Sequence, residues 1–89
     1  MYHHCFLCDR YTDSTDLHHI FGGANKRKSE EDELMVWLCR TCHNEVHHGA
    51  HCSGELMMRL RQYGEKLWLC NNPDKTVEDF IKRYGRNYL

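Results

Sequence analysis

Two Cys-x-x-Cys pairs, Cys5-Phe-Leu-Cys8 and Cys39-Arg-Thr-Cys42, carry the chain's clearest chemistry. A short turn of that spacing presents both thiolates to one cation, and four thiolates complete a tetrahedral zinc site with no position left open for reaction. Such a closed site is structural, and its binding energy is folding energy. A mixed set, with His3, His4 or His43 replacing one thiolate, is the competing assignment. Cys52 and Cys70 are left over. Both are expected as free thiols, Cys70 buried at the end of a helix. A second zinc on His51 and Cys52 would need partners that the sequence does not identify.

The second chemical group is imidazole. Eight histidines in 89 residues include the pair His18-His19 and the run Cys42-His43-Asn-Glu-Val-His47. Residues four apart share a helix face, so His43 and His47 can bind one ion together. Neighbours on a helix point about 100 degrees apart, so Cys42 can face the zinc while His43 faces away from it. On a strand, successive side chains point to opposite faces. His18 and His19 therefore cannot both be ordinary ligands of one ion unless the strand bends, and one ligand plus one base is the natural division. The bland alternative treats all of these as surface histidines.

These groups need elements to hold them. Leu17 to Phe21 is short, apolar-flanked and stopped by Gly22-Gly23, which predicts a strand entering a tight turn. Residues 22–33 are polar and charged and read as a loop with at most a frayed helical turn. Leu34 to Leu38 is a continuous apolar run of strand length, ending on Cys39. Thr41 is a candidate N-cap for a short helix to His48, stopped by Gly49. From Glu55 to Leu69, Leu56, Leu60, Tyr63 and Leu67 fall at amphipathic spacing, with an interruption at Gly64. Asn72-Pro73 ends that helix. Thr76-Val-Glu-Asp79 resembles a capping box, and Val77, Phe80, Ile81 and Tyr84 make one apolar stripe up to Gly85.

Length and composition bound the rest. A chain of 89 residues is read as one domain, 1–89, whose modest core calls for a staple such as a metal. Cysteines at chelating spacing favour zinc over a disulfide framework and fit a reducing, cytoplasmic setting. Met1 to Leu7 has no basic n-region and no long apolar run, so a signal peptide is not expected. No stretch has the apolar length to cross a bilayer. The formal net charge of −1 does not announce nucleic acid. The signs are segregated, however: Lys26-Arg27-Lys28 precedes Glu30-Glu31-Asp32-Glu33, which by default is solvated surface charge.

Together, Cys-x-x-Cys, Leu-His-His-Ile, a glycine-containing loop and Leu-Cys-x-x-Cys-His-x-x-x-His resemble the HNH endonuclease family, above all its small bacterial and phage members. The resemblance covers roughly residues 5–48, leaving helices 55–85 outside it as accessory elements. It implies an α+β fold: a ββα-metal core (His-Me finger) supported by a four-cysteine zinc site, with two C-terminal helices added. It implies that His19 is the general base and that His18, His43 and His47 hold a catalytic divalent ion. That ion would be Mg2+ or Mn2+, with Ni2+ or Zn2+ as alternatives. It also implies DNA as partner, cleaved to 5′-phosphate and 3′-hydroxyl ends, with Lys26, Arg27 and Lys28 contacting flanking phosphates and Arg83 and Arg86 as weaker candidates. The family's middle Asn has no counterpart near Leu34; Asn25 is the candidate replacement.

Two other readings compete. A non-catalytic zinc module that binds nucleic acid or protein accounts for the cysteines and leaves the histidines incidental. A metal-dependent hydrolase of a small substrate is the other. Neither the DNA structure recognised nor the oligomeric state is encoded in any motif.

Overall fold

The computed structural model describes residues 2–48 and 53–89. Two small antiparallel sheets and four helices form a small α+β structure. Strand β1 (His3–His4) pairs with β2 (Tyr11–Thr12), and β3 (Thr15–His19) pairs with β4 (Met35–Cys39). A 3-10 turn at Gly23–Asn25 leads into α1 (Lys26–Glu31) between β3 and β4. Helix α2 (Arg40–His48) follows β4 directly, and α3 (Ser53–Asn71) and α4 (Val77–Tyr84) complete the chain's order. No described helix is long and apolar enough to cross a membrane.

The β3–β4 hairpin is two-faced, as strand alternation demands. His18 pairs with Val36 and Asp16 with Leu38, and His18, Val36 and Leu38 are buried. Leu17 pairs with Trp37 on the other face, and both are exposed. Strand β3 lies two residues earlier than expected. Ile20 and Phe21 are both buried, but they lie past the end of β3, where the chain leaves the sheet after His19. Leu34 is fully buried just ahead of β4 and joins Ile20, Phe21, Leu60, Phe80 and Tyr84 in one core.

Residues 22–33 hold more structure than their polarity suggests. Ser29, fully buried, donates from Oγ to the Leu34 carbonyl (2.6 Å) and accepts from the Phe21 amide (3.4 Å). Its own carbonyl accepts from the Leu34 amide at 2.8 Å. One serine thus pins both ends of the β3–β4 connection. Asn25 instead ties the loop to α4, donating from Nδ2 to the Tyr84 carbonyl at 3.0 Å.

Helix α1 is bolted to α4. Arg83 grips Asp32 with Nε at 2.6 Å and Nη2 at 3.0 Å, and reaches Glu31 at 3.1 Å. The Tyr84 hydroxyl donates to Asp32 and to the Lys28 carbonyl, and Lys28 Nζ donates to the Arg83 carbonyl at 2.7 Å. Asp32 holds the guanidinium still more firmly protonated than usual, while burial and then Asp32 push the Tyr84 hydroxyl upward. Charge-assisted, bidentate pairs of this kind are the strong ones. The sequence cues for α4 match its structure: Thr76 and Asp79 form a capping box, and Gly85 closes the helix at φ 90°. Its stripe is only half used, since Phe80 and Tyr84 are buried while Val77 and Ile81 remain exposed.

Helix α3 runs unbroken through Gly64, where the apolar spacing is interrupted. The reason is contact. A Cβ at Gly64 would lie 2.8 Å from Ile20 Cγ2 and 2.9 Å from Phe21 Cε2, so the missing side chain lets α3 seat directly on the segment following His19. Overpacking a filled core costs about 1–3 kcal/mol, against a gain of about 1 kcal/mol when alanine replaces glycine in a helix. Gly64→Ala is therefore expected to lower stability by roughly 1 kcal/mol or more, read as a reduced urea midpoint with unchanged slope. A higher midpoint would mean that this contact is not tight.

Candidate metal centre

The zinc-type site is built where three elements meet. Cys5 leaves β1, and its amide donates to the Arg10 carbonyl (2.9 Å) while its carbonyl accepts from the Asp9 amide (2.8 Å), closing a tight knuckle that carries Cys8. Asp9 takes a left-handed conformation, φ 61°, to allow this turn. The Phe6 amide donates to the Trp37 carbonyl at 2.8 Å, docking the knuckle on β4. Cys39 ends β4, and Cys42 lies in the first turn of α2.

The four sulfurs lie within 4.8 Å of one another, with Cys8 and Cys39 Sγ 3.7 Å apart. A tetrahedron with Zn–S bonds of about 2.3 Å has edges of about 3.8 Å. The donor set therefore fits a tetrahedral metal such as zinc. Electrostatics points the same way. Burial raises the Cys5 thiol, but backbone donors from Cys39, Cys8 and Leu7 outweigh it and bring it down to about 6. Cys42 is pushed far up by burial and by its sulfur neighbours. Four crowded thiols cannot ionise together unless a cation compensates them.

None of the competing histidines joins the sulfurs. His3 stacks on Trp37 with ring centroids 3.7 Å apart, His4 Nδ1 lies 3.3 Å from Asp9, and His43 turns to Asp16. Among the described residues, the four cysteines are the one group of three or more His, Cys, Asp or Glu side chains converging at metal distance. Cys70 is exposed, not buried, because the buried face of α3 runs through Leu60, Gly64 and Trp68. His51 and Cys52 lie outside the described residues.

On the α2 side of the hairpin, His18 and His43 meet edge to face with centroids 5.5 Å apart. Asp16, two residues before His18 and so on the same strand face, reaches His43 Nδ1 with Oδ2 at 3.2 Å. A carboxylate only accepts, so the proton of a neutral His43 belongs on Nδ1, which makes Nε2 the atom that would take a cation. Sequence reasoning missed Asp16, although its i, i+2 relation to His18 on a strand was the available signal. His47 lies in α2, but its side chain is outside the described residues.

His19 sits on the opposite strand face from His18. Its Nε2–H donates to Glu30 Oε1 on α1 at 2.8 Å, and its side chain is one-fifth exposed. The basic run is less available than its spacing suggests. Lys28 is spent on Arg83, Arg27 pairs with Glu31 at 3.6 Å, and Lys26 is exposed. Arg83 is committed to Glu31 and Asp32, and Arg86 lies over the Tyr88 ring. A cleft of about 570 Å³ between α1, α3 and α4, lined by Lys28, Asp32, Trp68, Lys75, Lys82 and Arg83 among others, contains none of the histidines or cysteines.

No model of a known protein family, no curated protein and no solved structure matches this chain.

Replacing Cys5 or Cys39, both buried, with serine is expected to abolish stoichiometric zinc and the cooperative melting transition, since structural zinc supplies about 10–16 kcal/mol in small domains. Native mass spectrometry and thermal melts read this directly. Full zinc content with an unchanged melt would rule out the four-thiolate centre.

Proposed function

We propose that this protein is a metal-dependent endonuclease that hydrolyses DNA phosphodiesters, built on a zinc-supported ββα-metal core of the HNH type. The observation that carries the reading is the meeting of His43 with His18 and Asp16 one residue beyond a zinc-type cysteine, with His19 next along the same strand. Clipping Cys42 to the knuckle orients the first turn of α2, and the 100-degree step to the next residue turns His43 away from the sulfurs.

A phosphodiester resists water because its anion repels nucleophiles and its alkoxide is a poor leaving group. His19 is assigned as the base that deprotonates the attacking water, a task for which a neutral imidazole offers a ring-nitrogen lone pair. A divalent ion on His18 and His43, with His47 as the third ligand, would supply positive charge beside the departing 3′ oxygen. Magnesium or manganese is the expected ion, with nickel or zinc as alternatives that imidazole donors also suit. Lys26 and Arg27 are the exposed cations of the basic run and are assigned to flanking phosphates, contacts that position DNA without reading sequence.

A second reading, a non-catalytic zinc module that binds nucleic acid or protein, draws on the fact that only the sulfurs converge at metal distance among the described residues. It requires one metal per chain and no cleavage with any divalent ion.

Purified protein with Mg2+ or Mn2+ should nick supercoiled plasmid, and His19→Ala should slow this by about 100-fold or more while keeping zinc content and melting temperature. Cutting by His19→Ala at the wild-type rate would remove His19 from the role of base. Asp16→Ala should weaken manganese binding by roughly 10- to 100-fold, the usual cost of losing a carboxylate behind a ligating histidine, with zinc retained. Unchanged manganese affinity by calorimetry would show that Asp16 does not set the His43 donor atom.

A further inference from the structure

We infer that Glu30 is the positioning residue for His19, and that it makes Nδ1 the atom that takes the proton from water. The inference rests on the hydrolytic reading above. The acidic run from Glu30 to Glu33 is divided by direction: Glu31 and Asp32 go to Arg83 on α4, while Glu30 turns to the hairpin and meets His19. The bond is 2.8 Å long, and a carboxylate has no proton to give, so Nε2 of a neutral His19 must be the donor. Its lone pair is then on Nδ1.

An anionic side chain beside a site for phosphate is costly unless it does something there. What it offers appears only as reaction proceeds. The water O–H bond breaks and its proton moves to Nδ1, giving an imidazolium with both nitrogens protonated. The freed oxygen forms the new bond to phosphorus as the P–O3′ bond breaks, its electron pair leaving on the 3′ oxygen, which takes a proton from solvent. The imidazolium returns its proton to solvent, so one water is consumed per bond cut. Nε2–H stays shared with Glu30 throughout, and the carboxylate stabilises the developing positive charge without itself accepting the proton. Stabilisation confined to the transition state raises kcat and leaves binding unchanged.

Glu30 can hold this position because α1 is not free to drift. The two bonds from Arg83 to Asp32 and the Lys28–Arg83 carbonyl bond fix the helix two residues to either side of it. Ser29, next to it, is buried under the hairpin. Helix α4, beyond the HNH-like segment, thereby contributes to the base.

The test compares wild type, Glu30→Ala and Glu30→Gln as zinc-loaded full chains with saturating Mn2+. Glu30→Ala should lower kcat on the order of 10- to 100-fold with KM and melting temperature nearly unchanged. Glu30→Gln, which keeps an acceptor oxygen without the charge, should recover part of that loss. Independently of cleavage, 15N-edited NMR of wild type should detect a His19 Nε2–H proton shielded from solvent exchange, which disappears in Glu30→Ala and persists in Glu30→Gln. Wild-type cleavage with Glu30→Ala equally fast, or an Nε2–H signal unaltered by Glu30→Ala, overturns the role given to Glu30 and leaves the nuclease reading standing. Absence of cleavage by wild type overturns the nuclease reading itself, and with it any catalytic role for Glu30. A fall in melting temperature that tracks the loss of rate would show a merely structural contact and overturn the positioning role.

Discussion

Four sulfurs brought within 4.8 Å hold together parts of the chain that have little else in common. One pair lies on the knuckle that follows β1, with Phe6 and Leu7 between its cysteines; the other straddles the junction of β4 and α2. Uncompensated, these thiols oppose one another, one drawn down and another driven up in its affinity for protons. A single tetrahedral cation among them would turn that conflict into cohesion. The orientation of α2, and with it the direction of His43, follows from where the sulfurs are held.

The pleat of β3 is the second constraint. It assigns Asp16 and His18 to the helix side and His19 to the α1 side, so one strand serves two neighbourhoods. Each neighbourhood brings a carboxylate to an imidazole, Asp16 to His43 and Glu30 to His19, but at different ring nitrogens. Opposite tautomers are thereby specified for two histidines.

Local chemistry was legible in the sequence, and long-range polar contacts were not. The cysteine spacing, the capping box at Thr76, the Asn72-Pro73 break and the apolar run of β4 are each written in adjacent residues, and each has its structural counterpart. Helix α1 went unread because its one buried residue is Ser29, which gives no hydrophobic period. Strand β3 was displaced toward Ile20 and Phe21 because apolarity marks burial but does not distinguish a strand from the bend after it. The partners of His19 and His43 sit 11 and 27 residues away, and no spacing rule reports them. Gly64 looked like a flaw in a helix because the space it leaves belongs to a different segment.

The grip of Arg83 on Asp32 has a consequence for where the working unit stops. Judged by motif alone, everything after His48 is dispensable decoration. Judged by this clamp, the final helix braces α1 and, through it, the carboxylate that meets His19, and a fragment cut at the motif's edge would keep its four cysteines yet lose that brace.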